Sequence, residues 1–363
     1  MKQKRPLIIA IIVVVVLAGV GVTIGLRIAN GNKSDVTQAL ALAPADTTDF
    51  AFTDWALIKQ YKGAQNLTSK SDLQTRVHFV VSTDQDQAAA SGYDLSYFTQ
   101  QAATWSWDST DLVWEATISG QGAPVSVLKF RDNFDFAPVI AHFQRRGFTS
   151  SSYRGATVYS HPFDLTVDWL LELGVFNTAM LPDQHLFVLS SALAGVHAAL
   201  DAYNGAAKSL ADDAGFSAVA AQMGTVAALE MTTESVLCPT IGVTPSGPDP
   251  AVQQQLAAAG TLHSYAVLGV GYRDESSQPV GLIVLHFANS SDAQADVTPR
   301  GKLARDGLSI ATNNPYSQDV FTLDSATANG SDLLLHVHPV NAMPSRLFAM
   351  YDDRDLLFAA CPQ

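Results

Sequence analysis

Positive charge is scarce in this sequence. It has 21 lysines and arginines against 34 aspartates and glutamates, and its formal net charge at pH 7 is -13. Four of the positive residues lie in the first 27 positions, where there is no acidic residue, so the remainder is more acidic still. Proteins that bind nucleic acid need a basic surface to neutralise phosphates. We therefore expect no nucleic-acid partner, and we expect the body of the chain to stand off anionic lipid headgroups.

The common catalytic signatures are also missing. The sequence has no Gly-x-Ser-x-Gly elbow, no His-Glu-x-x-His motif, no glycine-rich phosphate-binding loop and no EF-hand loop. Each of these patterns positions a nucleophile, a metal ion or a phosphate, so their absence disfavours the corresponding enzymes. We predict no catalytic residue, no cofactor-binding residue and no cofactor, while an enzyme of an unfamiliar kind stays open.

One long apolar run stands near the N-terminus. Leu7–Leu26 is twenty residues without a charge, which at 1.5 Å per residue can cross about 30 Å of hydrocarbon. We predict a transmembrane helix there, between a short tail (1–6) and a stalk (27–44). The alternative is a cleaved signal peptide, with small residues at 29–31. The length of the run favours the retained anchor, because signal peptides have apolar cores of 7 to 15 residues.

The charges that flank this run predict its orientation. Lys2, Lys4 and Arg5 lie before it, whereas Arg27 and Lys33 follow it in a more mixed segment. Positive flanks stay in the cytoplasm. We therefore expect a single-pass protein of the cell membrane with a cytoplasmic N-terminus and an extracytoplasmic C-terminal domain.

Only two cysteines occur, Cys238 and Cys361. In an exported chain a lone pair is more often joined than free. We predict a disulfide between them, with two buried thiols as the alternative.

An approximate internal repeat runs through the chain. In each half, two strand-like runs form a hairpin that is followed by a helix-like stretch. The hairpin runs are 113–118 with 124–130 and 265–272 with 279–287, and the helices are 134–146 and about 290–307. Hairpins interrupted by single helices, without regular alternation of strand and helix, are typical of an α+β fold.

We expect two related halves, 45–208 and 209–363, each an antiparallel sheet with helices packed on one face. The boundary follows the Asn204-Gly205 turn. Just after it, Asp212 and Asp213 can cap an amphipathic helix. Its apolar residues that share one face are Phe216, Val219, Ala220 and Met223.

Two histidines raise the question of a metal site. His336 and His338 lie two apart on a predicted strand, so their side chains share a face and could hold one ion. His286 is on another strand of the same half. However, no cysteine or carboxylate stands at a recognisable ligand spacing, and a histidine on the exposed face of a strand needs no metal. We therefore predict no metal site and keep His336 with His338 as the alternative.

Carboxylates and tryptophans offer further candidates. Asp164, Asp168 and Glu172 recur every four residues beside Trp169 and would line one helical face. Paired carboxylates can serve glycoside hydrolysis, but a solvated helix face is the simpler interpretation.

Three further tryptophans could stack against sugars. Trp105, Trp107 and Trp114 alternate along strand-like sequence, which favours packing in the core.

Several short runs resemble a family of uncharacterised membrane-anchored or secreted bacterial envelope proteins. The runs are Leu42-Ala43-Pro44-Ala45-Asp46-Thr47, Phe52-Thr53-Asp54-Trp55, Trp107-Asp108 with Asp111-Leu112-Val113-Trp114-Glu115, Leu181-Pro182-Asp183 and Ser209-Leu210-Ala211-Asp212-Asp213. The resemblance implies a bacterial envelope address and a similar architecture, and it implies no particular activity.

Three functions fit these observations. The first is a non-catalytic extracytoplasmic envelope protein that binds another protein or a wall or lipid component. The second is an extracytoplasmic hydrolase with Asp, Glu or His residues in a cleft between the halves. The third is a carrier of an apolar ligand or lipid, with the segment from Trp169 to Phe176 lining a groove.

Overall fold

A computed structural model describes residues 34–86, 88–91, 98–99, 105–162, 176–244, 247–275 and 278–362. The predicted tail, the predicted transmembrane helix and residues 27–33 of the predicted stalk lie outside these ranges. Within the ranges, no helix combines the length and the apolar character needed to cross a membrane.

The described residues form fourteen strands. They are β1 (Thr47–Asp54), β2 (Leu112–Gly120), β3 (Val125–Phe130), β4 (Thr149–Tyr153), β5 (Ala156–Ser160), β6 (Asn177–Leu181), β7 (Leu186–Ser190), β8 (Ala228–Thr233), β9 (Val243–Thr244), β10 (Gly247–Pro248), β11 (Tyr265–Glu275), β12 (Gln278–Phe287), β13 (Phe321–Asn329) and β14 (Asp332–Pro339).

Eleven α-helices occur in the same part of the chain. They are α1 (Asp35–Leu40), α2 (Trp55–Tyr61), α3 (Leu73–Gln85), α4 (Ala137–Arg145), α5 (Leu193–Tyr203), α6 (Ala214–Met223), α7 (Glu234–Leu237), α8 (Pro250–Ala259), α9 (Ser290–Asp306), α10 (Tyr316–Asp319) and α11 (Ser345–Asp352).

Twelve of the strands form one antiparallel sheet. Its order is β13-β14-β12-β11-β8-β1-β2-β3-β7-β6-β5-β4. At its middle β1 pairs with β8, with Ala51 opposite Glu230 and Phe52 opposite Leu229. The prediction of an α+β fold built on an antiparallel sheet is confirmed. The sheet runs without a break from one predicted half into the other, which corrects the expectation of a separate sheet in each half.

Helices cover both faces of the sheet, not one face as predicted. Strand β12 shows why, because its residues alternate between two hydrophobic clusters. Val284 packs in the cluster that contains α6, whereas Ile283 and Leu285 pack in the cluster that contains α9. A strand that is apolar on both sides needs a covering layer on both sides.

Helix α6 forms as its sequence predicts. Asp213 caps it, since the carboxylate accepts hydrogen bonds from the backbone N–H groups of Gly215 at 2.9 Å and Phe216 at 3.0 Å. The four apolar residues predicted to share a face are all buried in one cluster. The cap fixes the residue at which the helix begins, and the apolar face packs the helix against the sheet.

Residues 35–44 belong to the folded domain, although the sequence places them in the stalk. Ser34 caps α1 with its side chain, and Val36, Ala39 and Leu40 are buried. Pro44 then pairs with Ser209 in an isolated bridge. The short helix is held by this packing, because six residues are too few for a helix that is stable alone.

Trp105, Trp107 and Trp114 lie in the core, as predicted, and each is at most 1% exposed. The ring of Trp107 meets those of Phe130 and Phe187 edge to face, with centroids 5.4 and 6.1 Å apart. The contacts of these tryptophans therefore stabilise the hydrophobic core.

A buried charged cluster follows Trp107. Arg76 pairs with Asp108, and the Nε atom of Arg131 lies 3.0 Å from Asp111 Oδ1. The Lys59 ammonium group donates to two backbone carbonyl oxygens of the same turn, at 2.8 and 3.1 Å. Burial lowers the pKa of Lys59 to about 8. The cluster joins α2 and α3 to the sheet and accounts structurally for the Trp107-Asp108 run.

Cys238 and Cys361 form a disulfide, as predicted, with their Cα atoms 5.1 Å apart. The bond joins residues separated by 123 positions in the sequence. It ties the end of the described chain to the short turn after α7.

Candidate functional site

An open groove of about 1060 Å³ lies at one end of the strands β2, β3, β6 and β7. Five separate parts of the chain contribute to it. They are α1 with the residues after it, the start of β2, the end of β3 with the segment before α4, the turn from β6 to β7, and the end of α5. The lining residues are Gln38, Ala41, Leu42, Trp114, Lys129, Phe134, Phe136, Pro182, Asp183, Gln184, His185, Leu186 and Tyr203. Its size and its mixture of aromatic and polar groups are typical of a ligand-binding site.

The turn from β6 to β7 forms the polar rim. Pro182–Gln184 is a 3₁₀ turn, and His185 follows with φ 51° in the left-handed region. This conformation is uncommon for residues other than glycine, although histidine adopts it more readily than most. Here the Phe130 N–H donates to His185 O at 2.8 Å, and Lys129 Nζ donates to Gln184 O at 2.6 Å.

Aromatic rings form the floor. Phe134 and Phe136 meet at right angles with centroids 4.9 Å apart, and the imidazole of His185 lies 5.8 Å from the ring of Phe136. Each phenylalanine keeps 7% of its surface exposed, and Tyr203 is half-buried. The floor therefore presents a small part of each phenylalanine, and a larger part of Tyr203, to the groove.

Two buried polar atoms belong to residues that line the groove. Gln184 Oε1 is buried and accepts no hydrogen bond from the described residues. The Trp114 indole N–H makes no hydrogen bond of normal geometry, although it lies close enough to Asp35 to lower the pKa of that carboxyl. Burial is the larger effect and raises the pKa of Asp35 overall. A buried polar atom without a partner is costly. Because Gln184 Oε1 is out of reach of a water-sized group, a ligand in the open groove cannot donate to it in this conformation.

The ammonium group of Lys129 is electrostatically compensated. Burial lowers its pKa, and the carboxylates of Asp132 and Asp35 oppose that shift. The positive charge of Lys129 is therefore already partly neutralised by these two acidic side chains when the groove is empty.

Asp54 lies close to the groove, where it caps α2 by accepting from the Leu57 N–H at 2.8 Å. Burial raises its pKa from 3.8 to about 6, and the neighbouring carboxylate of Asp35 adds to the rise. A carboxyl group with a raised pKa is more stable when protonated, so its contribution to folding depends on pH.

Asp54→Asn is expected to stabilise the protein at pH 7.5 and to have little effect near pH 4. The folded protein holds the Asp54 proton up to about pH 6, whereas the unfolded chain releases it near 3.8. The wild type therefore loses stability as the pH rises from 4 through 6, by at most about 3 kcal/mol. Asparagine keeps the capping oxygen but does not titrate. Urea unfolding at both pH values measures the difference.

Asp72→Asn is the matched control. Asp72 caps α3 in the same way, through the Thr75 N–H at 3.0 Å, but it is fully exposed and its pKa is lowered by these hydrogen bonds. Its replacement should leave the change in stability between pH 4 and 7.5 unaltered. Equal pH dependence in Asp54→Asn and wild type would contradict the prediction.

Buried carboxylates also lie on the central strands, where the two predicted halves meet. The hydrolase hypothesis places its site in a cleft between those halves, and at this point they share one continuous sheet. Glu115 accepts from Ser91 Oγ at 2.8 Å, and burial raises the pKa of Glu230 well above its ordinary value. Glu115 is opposite Thr53, and Glu230 is opposite Ala51, on either side of β1. Two strand spacings separate the side chains by about 10 Å, so they do not act as a close pair.

His336 and His338 lie on β14, as predicted, opposite Leu282 of β12 and Thr322 of β13 respectively. His286 instead contacts Asp332, with His286 Nδ1 2.6 Å from Asp332 Oδ1. In the part of the chain that the structure describes, no group of three or more histidine, cysteine or acidic residues could hold a metal ion. The two histidines thus gain no third ligand there.

The other candidate carboxylates lie outside the described residues. Asp164, Asp168 and Glu172 belong to the undescribed range 163–175, as does Trp169.

The sequence analysis assigned no binding role to the residues that line the groove. Trp114 was predicted in the core, and Leu42, Pro182 and Asp183 were named only in the runs that carry the resemblance. The lining residues come from distant segments, and none belongs to a known motif. The one available signal was Leu181-Pro182-Asp183 before a strand, which marks the rim of the groove.

Comparisons with known proteins find no protein-family model that matches the chain, and no curated protein matches it. Among solved structures, crystal form III of TP0453 aligns with 86% of this chain and 98% of its own, at 8% sequence identity and a TM-score of 0.41. Crystal form I of TP0453 aligns with 88% and 99%, at 9% identity and a TM-score of 0.37.

Proposed function

We propose that this chain is a non-catalytic extracytoplasmic envelope protein, and that its groove binds a wall or lipid component or another protein. The groove is the observation that carries the proposal, because its lining combines aromatic rings with polar side chains around a space of about 1060 Å³. The resemblance to bacterial envelope proteins supports the same address.

The position of α1 supports a task near a membrane. Gln38 of this helix lines the groove, and the predicted transmembrane helix ends at Leu26. Eight residues separate Leu26 from Asp35, and an extended chain of that length reaches about 30 Å at most. Under the proposal, the groove is held within a few nanometres of the bilayer.

An origin by duplication of two related halves is part of the proposal. Strands β1-β2-β3-β7-β6 are neighbours in that order on one side of the central β1–β8 pair, and β8-β11-β12-β14-β13 are neighbours in the corresponding order on the other side. The hairpin β4–β5 extends the first series alone. Because β4 and β5 lie at the outer edge of the sheet, the order of the other five strands is the same in the two series.

The second candidate is a carrier of an apolar ligand, which the aromatic floor of the same groove favours. The segment first suggested for that role, from Trp169 to Phe176, is described only at Phe176, which is buried.

A photo-crosslinking residue placed at Gln38 tests the proposed function in intact cells that make the full chain. Gln38 lies at the groove, and Gln318 on α10 is an exposed matched control. We expect a specific adduct from position 38, identified by mass spectrometry as protein, glycan or lipid, and none of the same mass from position 318. The identity of the adduct separates the wall, lipid and protein alternatives.

Ala41→Trp supplies a second arm of that experiment. Ala41 lines the groove, and an indole there would fill part of it. The adduct from position 38 should be lost in this background while the melting temperature stays near that of the wild type. Recovery of no adduct at position 38, or of the same adducts at both positions, would count against the groove as the binding site.

A further inference from the structure

We propose that strand β4 binds an extended acidic segment of a partner protein as an added strand of the sheet, because its backbone edge is open and arginines flank both of its ends. This surface is separate from the groove, so the inference goes beyond the proposed function. In strand addition, backbone hydrogen bonds supply affinity and the neighbouring side chains supply specificity.

The outer edge of β4 has free hydrogen-bonding groups. Among the described strands, β4 pairs only with β5 and ends the sheet. The two residues of the turn to β5, 154–155, have φ angles of 50° and 82°, so Tyr153 and Ala156 form the hydrogen-bonded pair that closes the turn. Alternate residues then point their N–H and C=O groups away from β5. These residues are Ser150 and Ser152, and no described residue bonds to their outward backbone groups.

Strand β4 lacks the features that usually protect an exposed edge. Such edges carry charged residues, prolines or bulges that stop another chain from pairing with them. Thr149–Tyr153 contains no charged residue and no proline, and its register with β5 is regular. The opposite edge of the sheet differs, because β13 has a shift in register between Leu323 and Ser325, where the charged Asp324 lies. An added strand therefore fits the edge at β4 and not the edge at β13.

The surroundings of β4 are basic in an otherwise acidic chain. Residues 136–162 contain three arginines and no aspartate or glutamate. Arg145 and Arg146 precede β4 within about 15 Å along the chain, and Arg154 follows it directly. Arg145 and Arg154 are exposed, and Arg154 pairs with Asp201 of α5 at 2.7 Å. Positive charge at both ends of β4 attracts acidic residues at both ends of an added strand.

The same charges argue against a second copy of this chain as the occupant. Two β4 strands that pair antiparallel about a twofold axis bring the arginines before one strand beside Arg154 of the other. Like charges then meet at both ends of the pair, which is unfavourable. The favoured occupant is therefore a segment with aspartate or glutamate on each side of an uncharged stretch that matches the five residues of β4.

Fluorescence anisotropy with the full chain in detergent tests the proposal. The probes are the labelled peptide Glu-Glu-Val-Thr-Val-Thr-Val-Glu-Glu and the same peptide with lysine in place of each glutamate. We expect the acidic peptide to bind about tenfold or more tightly than the basic one, and its affinity should fall as the salt concentration rises. Ala41→Trp, which fills the groove, should leave peptide binding unchanged. Failure of the peptide to bind would therefore leave the proposed function standing.

Ser152→Pro is the decisive variant, and Ser152→Ala is its matched control. Proline removes the outward N–H of residue 152 and places its ring at the open edge, while the hydrogen bonds to β5 remain. The affinity for the acidic peptide should fall about tenfold in Ser152→Pro and stay unchanged in Ser152→Ala. Melting temperatures check that each variant is folded.

A charge variant tests the arginines without altering the backbone of β4. Arg145→Glu should weaken binding of the acidic peptide and strengthen binding of the basic one, because residue 145 is exposed beside the strand. Arg305→Glu makes the same change of charge at an exposed position of α9 and should leave both affinities unaltered. Equal effects of the two variants would count against a local role of Arg145.

Amide hydrogen exchange distinguishes an added strand from charge attraction alone. On binding of the acidic peptide, the N–H groups of Ser150 and Ser152 should exchange more slowly because they gain acceptors. The N–H of Ser151 already points to β5 and should change little. The proposal is overturned by equal affinity for the two peptides, by no binding of the acidic peptide, or by unchanged exchange at Ser150 and Ser152. Peptide binding that survives in a folded Ser152→Pro variant would also overturn it.

Analytical ultracentrifugation of the full chain tests the alternative occupant. We expect no dimer that depends on β4. A dimer that dissociates in Ser152→Pro but persists in Ser152→Ala would overturn the proposal in favour of a second copy.

Discussion

Replacement of Arg300 by methionine is expected to lower the free energy of unfolding by about 3–5 kcal/mol. Arg300 lies on α9 and is completely buried. Its Nε atom donates to Asp296 Oδ2 at 2.6 Å, and Nη2 donates to His263 O at 2.6 Å. Nη1 donates to the carbonyl oxygens of Phe358 at 2.7 Å and Ala360 at 3.2 Å.

The large effect follows from what the substitution leaves behind. Methionine approximates the length of the arginine side chain but donates no hydrogen bond. The buried carboxylate of Asp296 would then lose its arginine partner and keep its contacts with the backbone N–H and the ring of His263. Three carbonyl oxygens would lose their donor. Removal of one member of a buried ion pair is strongly destabilising because the remaining charge stays out of water.

Chemical unfolding followed by circular dichroism measures the loss for Arg300→Met. Arg305→Met is the matched control, since Arg305 lies on the same helix and is exposed. It should change stability by less than about 0.5 kcal/mol. A similar small change in Arg300→Met would mean that the buried network contributes little beyond packing.

Loss of the disulfide is expected to cost about 4–5 kcal/mol, on the model in which the bond restricts the unfolded chain. The loop between Cys238 and Cys361 is long, with a sequence separation of 123, and the entropy of closing a loop rises with its length. Cys238→Ser combined with Cys361→Ser removes the bond. Unfolding of this variant, with and without a reducing agent, measures the contribution.

The reducing agent supplies the internal control for this experiment. It should destabilise the wild type to about the level of the double variant and should leave the double variant unchanged. A wild type whose unfolding is insensitive to reduction would contradict the prediction.

The disulfide and the Arg300 network should also be energetically coupled. Arg300 holds Phe358 and Ala360, and Cys361 follows immediately. Because both restrain the same segment, the combined variant is expected to lose less stability than the sum of the two losses.

Local features of the fold were predictable when the decisive contacts are close in sequence. The cap at Asp213 and the apolar face of α6 lie within eleven residues, so their periodicity shows in the sequence. Helix α9 begins at Ser290, close to the predicted start, but Asn289 caps it through the Asp292 N–H, whereas the sequence had suggested Ser290 or Ser291 as the cap. The strands of the two hairpins followed from their alternation in the same way.

Strands β4 and β6 were missed for a physical reason. β4 is the polar stretch Thr149–Tyr153, which is almost entirely exposed and has no apolar alternation. β6 is short and buried on both faces, so it has no polar alternation either. Each is held in the sheet by hydrogen bonds to its neighbouring strands. Such pairing cannot be predicted from the local sequence.

By itself, the sequence determined the α+β class and the partners of the disulfide. Alternation and helix caps are local patterns that indicate strands and helices, and with only two cysteines in the chain just one pairing is possible. Only the tertiary structure decided that β1 and β8 join one sheet and that α1 packs against it. It also decided that Gln38, Trp114, Lys129 and Gln184 share a groove. These last facts depend on contacts between residues tens of positions or more apart, and no spacing in a single sequence encodes which distant segments meet.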